Sequence, residues 1–298
     1  MEKLLLNCTL CPRNCGVNRK IGEKGFCKAS ENPKVARYSL HFWEEPCISG
    51  ENGSGTVFFS NCTLKCVFCQ NRKISNNGIG EEITPEKLSE IFLKLQDMGA
   101  HNINLVTPTH YTISIIKSLE IAKNKGLSIP IVYNTSGYEK ASTIKMLDGL
   151  IDIYLPDFKY YSDKFAIKYS NAPYYFKYAT ESLAEMVRQT GTVKFDDLGT
   201  VKYGTIVRHL MLPGLLFDSK KVIDYLYNTY KDDIFISIMN QYTPMEEFRD
   251  FPELNKKISK EYYNCLVDYA CELGIKNAYI QDGDTQDKSF IPEFFEKL

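Results

Sequence analysis

Along most of the chain, short β-prone apolar runs alternate with longer stretches whose apolar residues recur at helical spacing. The first run, Thr56-Val57-Phe58-Phe59, is followed by strands expected at about 103–106, 129–133, 151–155, 205–212 and 234–239. The first helix is legible in detail: Thr84 suits the N-cap and Pro85 the first helical position, and Leu88, Ile91, Phe92 and Leu95 share one face. Strands alternating with helices predict βα units and a parallel sheet. About six units fit, fewer than the eight of a full barrel. From Pro252 the pattern predicts a helix over 259–273 closed by Gly274, a short strand at Asn277–Ile280, and a polar loop leading to Phe290–Phe295. That aromatic tail suits docking over the open side of the barrel.

The pattern fails at the start of the chain, where Cys8, Cys11, Cys15 and Cys27 form a C-x2-C-x3-C-x11-C set in a glycine-rich segment with too few apolar residues to hold itself together. Four thiolates close a metal site, either structural zinc or an auxiliary iron–sulfur cluster, and spacing does not name the metal. Zinc is the simpler expectation, because a closed site away from the reactive loop requires no redox chemistry. Incidental clustering of metal-free thiols is the plain alternative. The connector that follows contains Glu44-Glu45-Pro46, expected as a solvated turn. The boundaries expected are 1–53 for the Cys-rich segment and connector, 54–245 for the barrel, and 246–298 for a helix and tail packed on it.

Composition narrows the class. The 298 residues are 44% hydrophobic, enough for a substantial core, and 36 basic against 37 acidic residues leave a net charge of −1. That balance disfavours nucleic acid and anionic membranes as partners. Without an evident leader or spanning stretch, a cytoplasmic location is expected, and ten cysteines read as ligands and reactive thiols before they read as disulfides.

The chemistry concentrates after the first strand, at Cys62, Cys66 and Cys69, a C-x3-C-x2-C set with Phe68 before its last cysteine. Iron–sulfur clusters normally take four thiolates, so three leave one iron of a cubane open to a small molecule. A structural zinc knuckle or three buried thiols are the bland readings, but structural zinc takes four ligands, usually as paired C-x2-C units. The polar residues just after each later strand are the other candidates, because parallel α/β folds work at the carboxyl ends of their strands. Arg208-His209 adds a charged pair inside an apolar run, where a buried cation needs a partner or an anionic ligand. Cys265 and Cys271 lie on different faces of a helix, which points to packing.

The cysteine triplet resembles the signature of radical S-adenosylmethionine (SAM) enzymes. That resemblance implies a partial (βα)6 TIM-like barrel with a small Cys-rich N-terminal extension, a [4Fe-4S] cluster on Cys62, Cys66 and Cys69, and SAM chelated at the fourth iron. Reductive cleavage of SAM would give a 5′-deoxyadenosyl radical that abstracts hydrogen from a substrate, with electrons from a flavodoxin- or ferredoxin-type donor. Phe68 resembles the aromatic residue beside adenine. Thr135-Ser136-Gly137 and Asp157-Phe158-Lys159 are similar to the T-N-G and D-L-K segments of glycyl-radical-enzyme activases such as the pyruvate formate-lyase activating enzyme. Lys159 would then contact the SAM carboxylate and His209 would lie near SAM. A Gly-Gly-Glu-like segment is replaced by 102–110, so Thr107 or Thr109 is expected to hold the SAM amino group, and Asn134 stands where an aspartate is expected. Two substrate classes follow, a glycine of a glycyl radical enzyme or a small molecule undergoing epimerisation or rearrangement. A zinc or iron–sulfur module for binding or electron transfer, without catalysis, is the alternative of another class.

Overall fold

The structure is a computed structural model and describes residues 2–281 and 294. Its strands are β1 (Lys34–His41), β2 (Ser54–Phe59), β3 (Glu81–Glu82), β4 (Ile103–Val106), β5 (Ile131–Thr135), β6 (Ile153–Pro156), β7 (Lys194–Phe195), β8 (Val201–Leu210), β9 (Phe235–Met239) and β10 (Ala278–Ile280). They form one sheet in the order β10-β9-β8-β6-β5-β4-β2-β1-β3, with β7 hairpinned onto β8. From β2 to β10 every neighbouring pair on that path is parallel, while β1 and β3 cap one edge antiparallel. The two ends do not pair, so the sheet is the open, partial barrel that the resemblance implied.

Every residue of β2 is buried, as a strand covered on both faces requires. The helices between the strands, chiefly Pro85–Asp97, Thr112–Asn124, Tyr175–Thr190 and Leu216–Tyr230, cover the outside. Leu88, Ile91, Phe92 and Leu95 pack with Val57, Ile103, Leu105 and Ile131. Thr84 caps its helix by accepting a bond from Lys87 N at 3.2 Å, and Pro85 follows it. Gly274, with φ +85°, ends helix Lys260–Glu272, its N–H bonded to Cys271 O at 2.9 Å.

Three features were not expected. Strand β1 lies in the stretch read as a connector and pairs with β2 from Val35↔Phe59 to His41↔Ser54. Helix Lys260–Glu272 and β10, read as a C-terminal attachment, add a seventh parallel strand beside β9. Cys265 and Cys271 are exposed, so they do not pack as expected. Most of the expected tail lies outside the described residues; Phe294 meets the ring of Phe58 edge-on at 5.3 Å.

The amino end of the barrel is closed by the turn Pro46–Ser49. Cys47 and Ile48 pack there with Val132, Ile153, Leu155 and Ile206, and Asn102 Nδ2 donates to Ile48 O at 2.8 Å. The carboxyl end therefore holds the open side, where the cysteine loop sits. No helix among the described residues is long and apolar enough to cross a membrane.

Candidate active site

The loop 60–71 leaves β2 at its carboxyl end and is held by backbone bonds to distant elements. Lys65 N donates to Ser170 O at 3.1 Å, Val67 N to Tyr169 O at 2.9 Å, and Asn61 N to Ile74 O at 2.8 Å. Each of its thiols has a hydrogen-bonding partner: Leu64 N–H donates to Cys62 Sγ at 3.4 Å, the Ser170 hydroxyl to Cys66 Sγ at 3.0 Å, and the Ser75 hydroxyl lies 3.3 Å from Cys69 Sγ. Burial, and next the neighbouring Cys66, pushes the Cys62 thiol up to about 12. Burial pushes Cys66 up to about 11 against the pull of the Lys159 ammonium. Without metal Cys62 and Cys66 keep their protons at neutral pH, so metal binding there displaces protons. Phe68 is buried beside the loop, its ring 6.2 Å from that of Tyr242.

Beneath the loop the barrel interior carries one ionic network. The Arg208 guanidinium donates through Nε to Asp157 Oδ1 at 3.0 Å, through Nη1 to Glu44 Oε2 at 3.1 Å, and through Nη2 to Asn134 Oδ1 at 2.6 Å. Lys159 Nζ reaches the other Asp157 oxygen at 2.6 Å, and Asn104 and Asn134 donate to Glu44 Oε1 at 3.2 and 3.4 Å. Burial raises the Asp157 carboxyl, but Lys159 and Arg208 together hold it below its ordinary range. Burial keeps Glu44 and Glu45 above theirs against the same guanidinium. This overturns the solvated turn expected at Glu44-Glu45-Pro46: the Glu44 side chain is 10% exposed and is an ion partner of β8. The cation in the apolar run found its partners inside the protein.

His209 and His110 are both buried and neutral. Burial lowers His209 to about 4 and His110 to about 3. His209 Nδ1 lies 2.7 Å from Phe158 O, which can only accept, so Nδ1 carries the proton and the unpartnered Nε2 is a free acceptor. By the same reasoning His110 Nε2 donates to Ser60 O at 2.8 Å, which ties the end of β4 to the base of the cysteine loop. Ser136 Oγ is likewise buried without a partner, in the turn where Gly137, at φ +76°, lies so close to Asp157 that a Cβ would come within 2.2 Å of its carbonyl. Thr107 takes the left-handed φ +60° and its N–H bonds Asn134 O at 2.9 Å. Thr109 does not face the network: its hydroxyl and that of Thr135 both donate to Glu139 Oε1, leaving Oε2 buried without a partner.

Glu139 makes a pH prediction. Burial, resisted by the two threonine hydroxyls, lifts its carboxyl from 4.5 to about 7. A folded-state pKa above the unfolded value contributes stability that is fully present below about 4.5 and is lost as pH rises through about 7, a loss of about 3 kcal/mol. The urea midpoint should therefore fall further between about pH 5 and about pH 8 for the wild type than for Glu139→Gln, which leaves every other titrating group in place. Parallel curves for the two proteins would remove this account of Glu139.

The cysteine set at the start of the chain does not lie apart from the reactive loop, as expected, but folds over the carboxyl-end loops. Lys140 Nζ donates to Thr9 O at 2.9 Å, Thr143 Oγ1 to Leu10 O at 2.6 Å, and Arg13 Nε to Thr63 O, inside the cysteine loop, at 2.9 Å. Cys8, Cys11 and Cys27 are buried and Cys15 is half-buried. Among the described residues no three His, Cys, Asp or Glu side chains converge as they would on a single metal ion, and this holds for both cysteine sets.

The sequence model of the radical SAM superfamily matches residues 56–226, more than half of the chain. The chain belongs to the radical SAM superfamily. It is 29% identical over 271 residues to the uncharacterized protein MJ0674 of Methanocaldococcus jannaschii, covering 87% of this chain and 73% of that one. Among solved structures it resembles Streptococcus suis SuiB bound to S-adenosylmethionine, with a TM-score of 0.51 at 16% identity over 74% of this chain and 48% of SuiB. It also resembles a radical SAM methyltransferase from Sphaerobacter thermophilus, with a TM-score of 0.51 at 14% identity over 76% of this chain and 66% of that one. At such identities the likeness establishes the radical SAM fold and no shared substrate, and the chain spans about half the length of SuiB.

Superfamily membership implies a [4Fe-4S] cluster and SAM. The donor set fits both groups. Three thiols on one loop, each already hydrogen-bonded, leave one iron of a cubane open. The free acceptor of His209 and the unpartnered Ser136 hydroxyl offer bonds to a ligand that carries N–H and O–H groups, as SAM does. Sequence reasoning missed Glu44, Asn104, Arg208 as a network centre, and Ser170. Only Arg208 carried a sequence signal, its charge inside an apolar strand.

Proposed function

We propose that the chain cleaves SAM reductively at a cluster held by Cys62, Cys66 and Cys69 and abstracts hydrogen from a substrate at the carboxyl-end mouth of the barrel. The cluster, when bound, supplies the electron for that cleavage. The chain's own residues hold and shield. In this reading Lys159 contacts the SAM carboxylate and His209 a donor group of SAM, Phe68 walls the loop, and Thr107, Asn134, Ser136 and Asp157 contribute the polar groups of the strand ends. An electron donor of the flavodoxin or ferredoxin type fits this chemistry.

The proposed substrate is a backbone glycine of a folded partner, as in glycyl-radical-enzyme activases. The observation that carries this choice is the ionic network. Glu44, Asn134, Asp157 and Arg208 are bonded to one another near the carboxyl ends of β5, β6 and β8, which favours a reaction at the rim, where a protein loop can reach. The similarity of Thr135-Ser136-Gly137 and Asp157-Phe158-Lys159 to activase segments supports the same reading.

The test is anaerobic reconstitution with iron and sulfide, then dithionite and SAM, with 5′-deoxyadenosine measured after adding fractions of an extract of the host cell. Stimulation by a protease-sensitive fraction retained on dialysis is expected. Stimulation by the dialysable fraction alone would favour a small-molecule epimerase or rearrangement enzyme, and metal without any SAM turnover would leave a binding or electron-transfer module.

A further inference from the structure

The cysteine loop rests against one short helix, Asp163–Ser170, at the carboxyl end of the barrel. The Tyr169 carbonyl accepts from Val67 N–H at 2.9 Å and the Ser170 carbonyl from Lys65 N–H at 3.1 Å, while the Ser170 hydroxyl donates to Cys66 Sγ at 3.0 Å. Its other side faces solvent: Lys164, Ile167, Lys168 and Asn171, spaced three and four apart so that they share one face, are all exposed. Ile167 is 53% exposed. Tyr174, in the turn that follows, takes the left-handed φ +56° that bulky residues rarely adopt, and is 66% exposed.

Cations flank that apolar pair. Lys177 Nζ lies 6.0 Å from the ring centroid of Tyr178, Tyr178 meets Tyr138 edge-on at 5.8 Å, and the Arg13 guanidinium lies 5.2 Å from Tyr138 and 3.6 Å from Phe26. Lys65, in the cysteine loop, holds its ammonium 5.7 Å from the same Phe26 ring. Arg13 Nη2 donates to Asn171 O, which joins this row of rings and cations to the end of the helix. Among the described residues Arg13, Lys65, Lys164 and Lys177 meet no carboxylate within ion-pair distance. Asp163 is the only acid between 158 and 180, and its Oδ1 accepts from Phe176 N–H at 3.3 Å. Glu253 is taken by Lys168 at 2.6 Å and by the Tyr169 hydroxyl at 2.6 Å. The chain as a whole carries −1, so this basic face is a local excess. An apolar centre flanked by charge of one sign has the anatomy of an interface for a partner of the opposite sign.

We propose that the outer face of helix Asp163–Ser170, with the turn after it and the flanking Arg13, Lys65 and Lys177, is the docking surface for an acidic electron-donor protein of the flavodoxin or ferredoxin type. Charge chooses the occupant, because uncompensated cations around Ile167 and Tyr174 favour a partner rich in carboxylates, as such donors are. Position agrees: Ser170, on the inner side of the same helix, touches Cys66, so a partner seated here is one helix away from the cysteine loop. A substrate has instead to reach the strand ends at Asp157 and His209. Electron-transfer encounters are small and steered by charge, which suits a face with two exposed apolar side chains. The purpose of the surface rests on the role proposed above for Cys62, Cys66 and Cys69; its affinity for the donor does not.

The test titrates the full chain into a purified oxidised flavodoxin and, in parallel, a purified ferredoxin, by calorimetry at about 50 and about 300 mM NaCl. At least one donor should bind, about ten-fold more weakly at the higher salt. Lys164→Glu/Lys177→Glu should weaken that binding about ten-fold or more and flatten its salt dependence, and Ile167→Ser should weaken it at both salts. Lys125→Glu/Lys276→Glu makes the same charge change at exposed lysines of the amino-end loops and should leave binding within about two-fold of the wild type. Matching thermal unfolding of the variants keeps folding out of the comparison. Equal weakening by the two double variants, or no binding of either donor, would overturn the proposal. So would a Lys164→Glu/Lys177→Glu chain that binds the donor as the wild type does, and if that chain loses stimulation by the protein fraction, the face belongs to the substrate. A chain that binds the donor here but forms no 5′-deoxyadenosine from dithionite and SAM after reconstitution would instead sink the function proposed above and leave the surface standing.

Discussion

Replacing Cys66 with alanine is expected to abolish 5′-deoxyadenosine formation and to remove all iron and sulfide of the SAM-binding cluster. Two thiolates cannot hold a cubane that normally takes four protein ligands and here has three. Cys66 is also the thiol most closely served by its surroundings, with the Ser170 hydroxyl at 3.0 Å and the Lys159 ammonium acting on it electrostatically. The truncation removes one small, half-buried side chain, so the cost to folding should be only about 1 kcal/mol. Thermal unfolding of the metal-free proteins checks that point, and metal analysis with chromatography of the SAM products checks the rest. A Cys66→Ala protein that still turns over SAM would remove this loop from the chemistry altogether.

Replacing Arg208 with methionine should cost about 3–5 kcal/mol, the range for breaking a buried ion pair by removing one partner. The guanidinium is 13% exposed and serves Glu44, Asp157 and Asn134 at once, so its loss leaves Glu44 buried without a cation and Asp157 with Lys159 alone. Adding Glu44→Gln should recover part of the loss, because the second substitution removes the stranded charge, and the cycle completed by the Glu44→Gln single variant measures the coupling. Urea unfolding of the four proteins gives the result. A single variant within about 0.5 kcal/mol of the wild type would show that the network contributes no more than a surface pair. The same change should weaken SAM binding, since Arg208 fixes the Asp157 carboxylate that in turn holds Lys159.

Much of the architecture was legible because its causes are local. A Thr-Pro start fixes the first helix, Gly274 ends the last, and apolar runs mark the parallel strands, because capping, backbone conformation and periodic burial act over a few neighbouring residues. The superfamily was legible for the same reason, since the spacing of Cys62, Cys66 and Cys69 lies within one loop. Strand β1 was not, because a strand at the edge of the parallel run keeps one half-exposed face and carries no continuous apolar signal.

The sequence by itself determined the superfamily chemistry, through Cys62, Cys66 and Cys69, and the order of strands and helices that brings this loop to the carboxyl end of the barrel. Only the tertiary structure decided what surrounds it. Glu44 reads as a solvated turn until Arg208, 164 residues away, comes to meet it. Ser170 is an unremarked helix residue until it lies against Cys66, 104 residues earlier. The N-terminal cysteines read as a separate staple until Arg13 reaches across to Thr63 and Asn171. The physical reason is common to all three: whether a polar side chain is hydrated or buried depends on the partner that replaces water, and that partner is chosen by the fold.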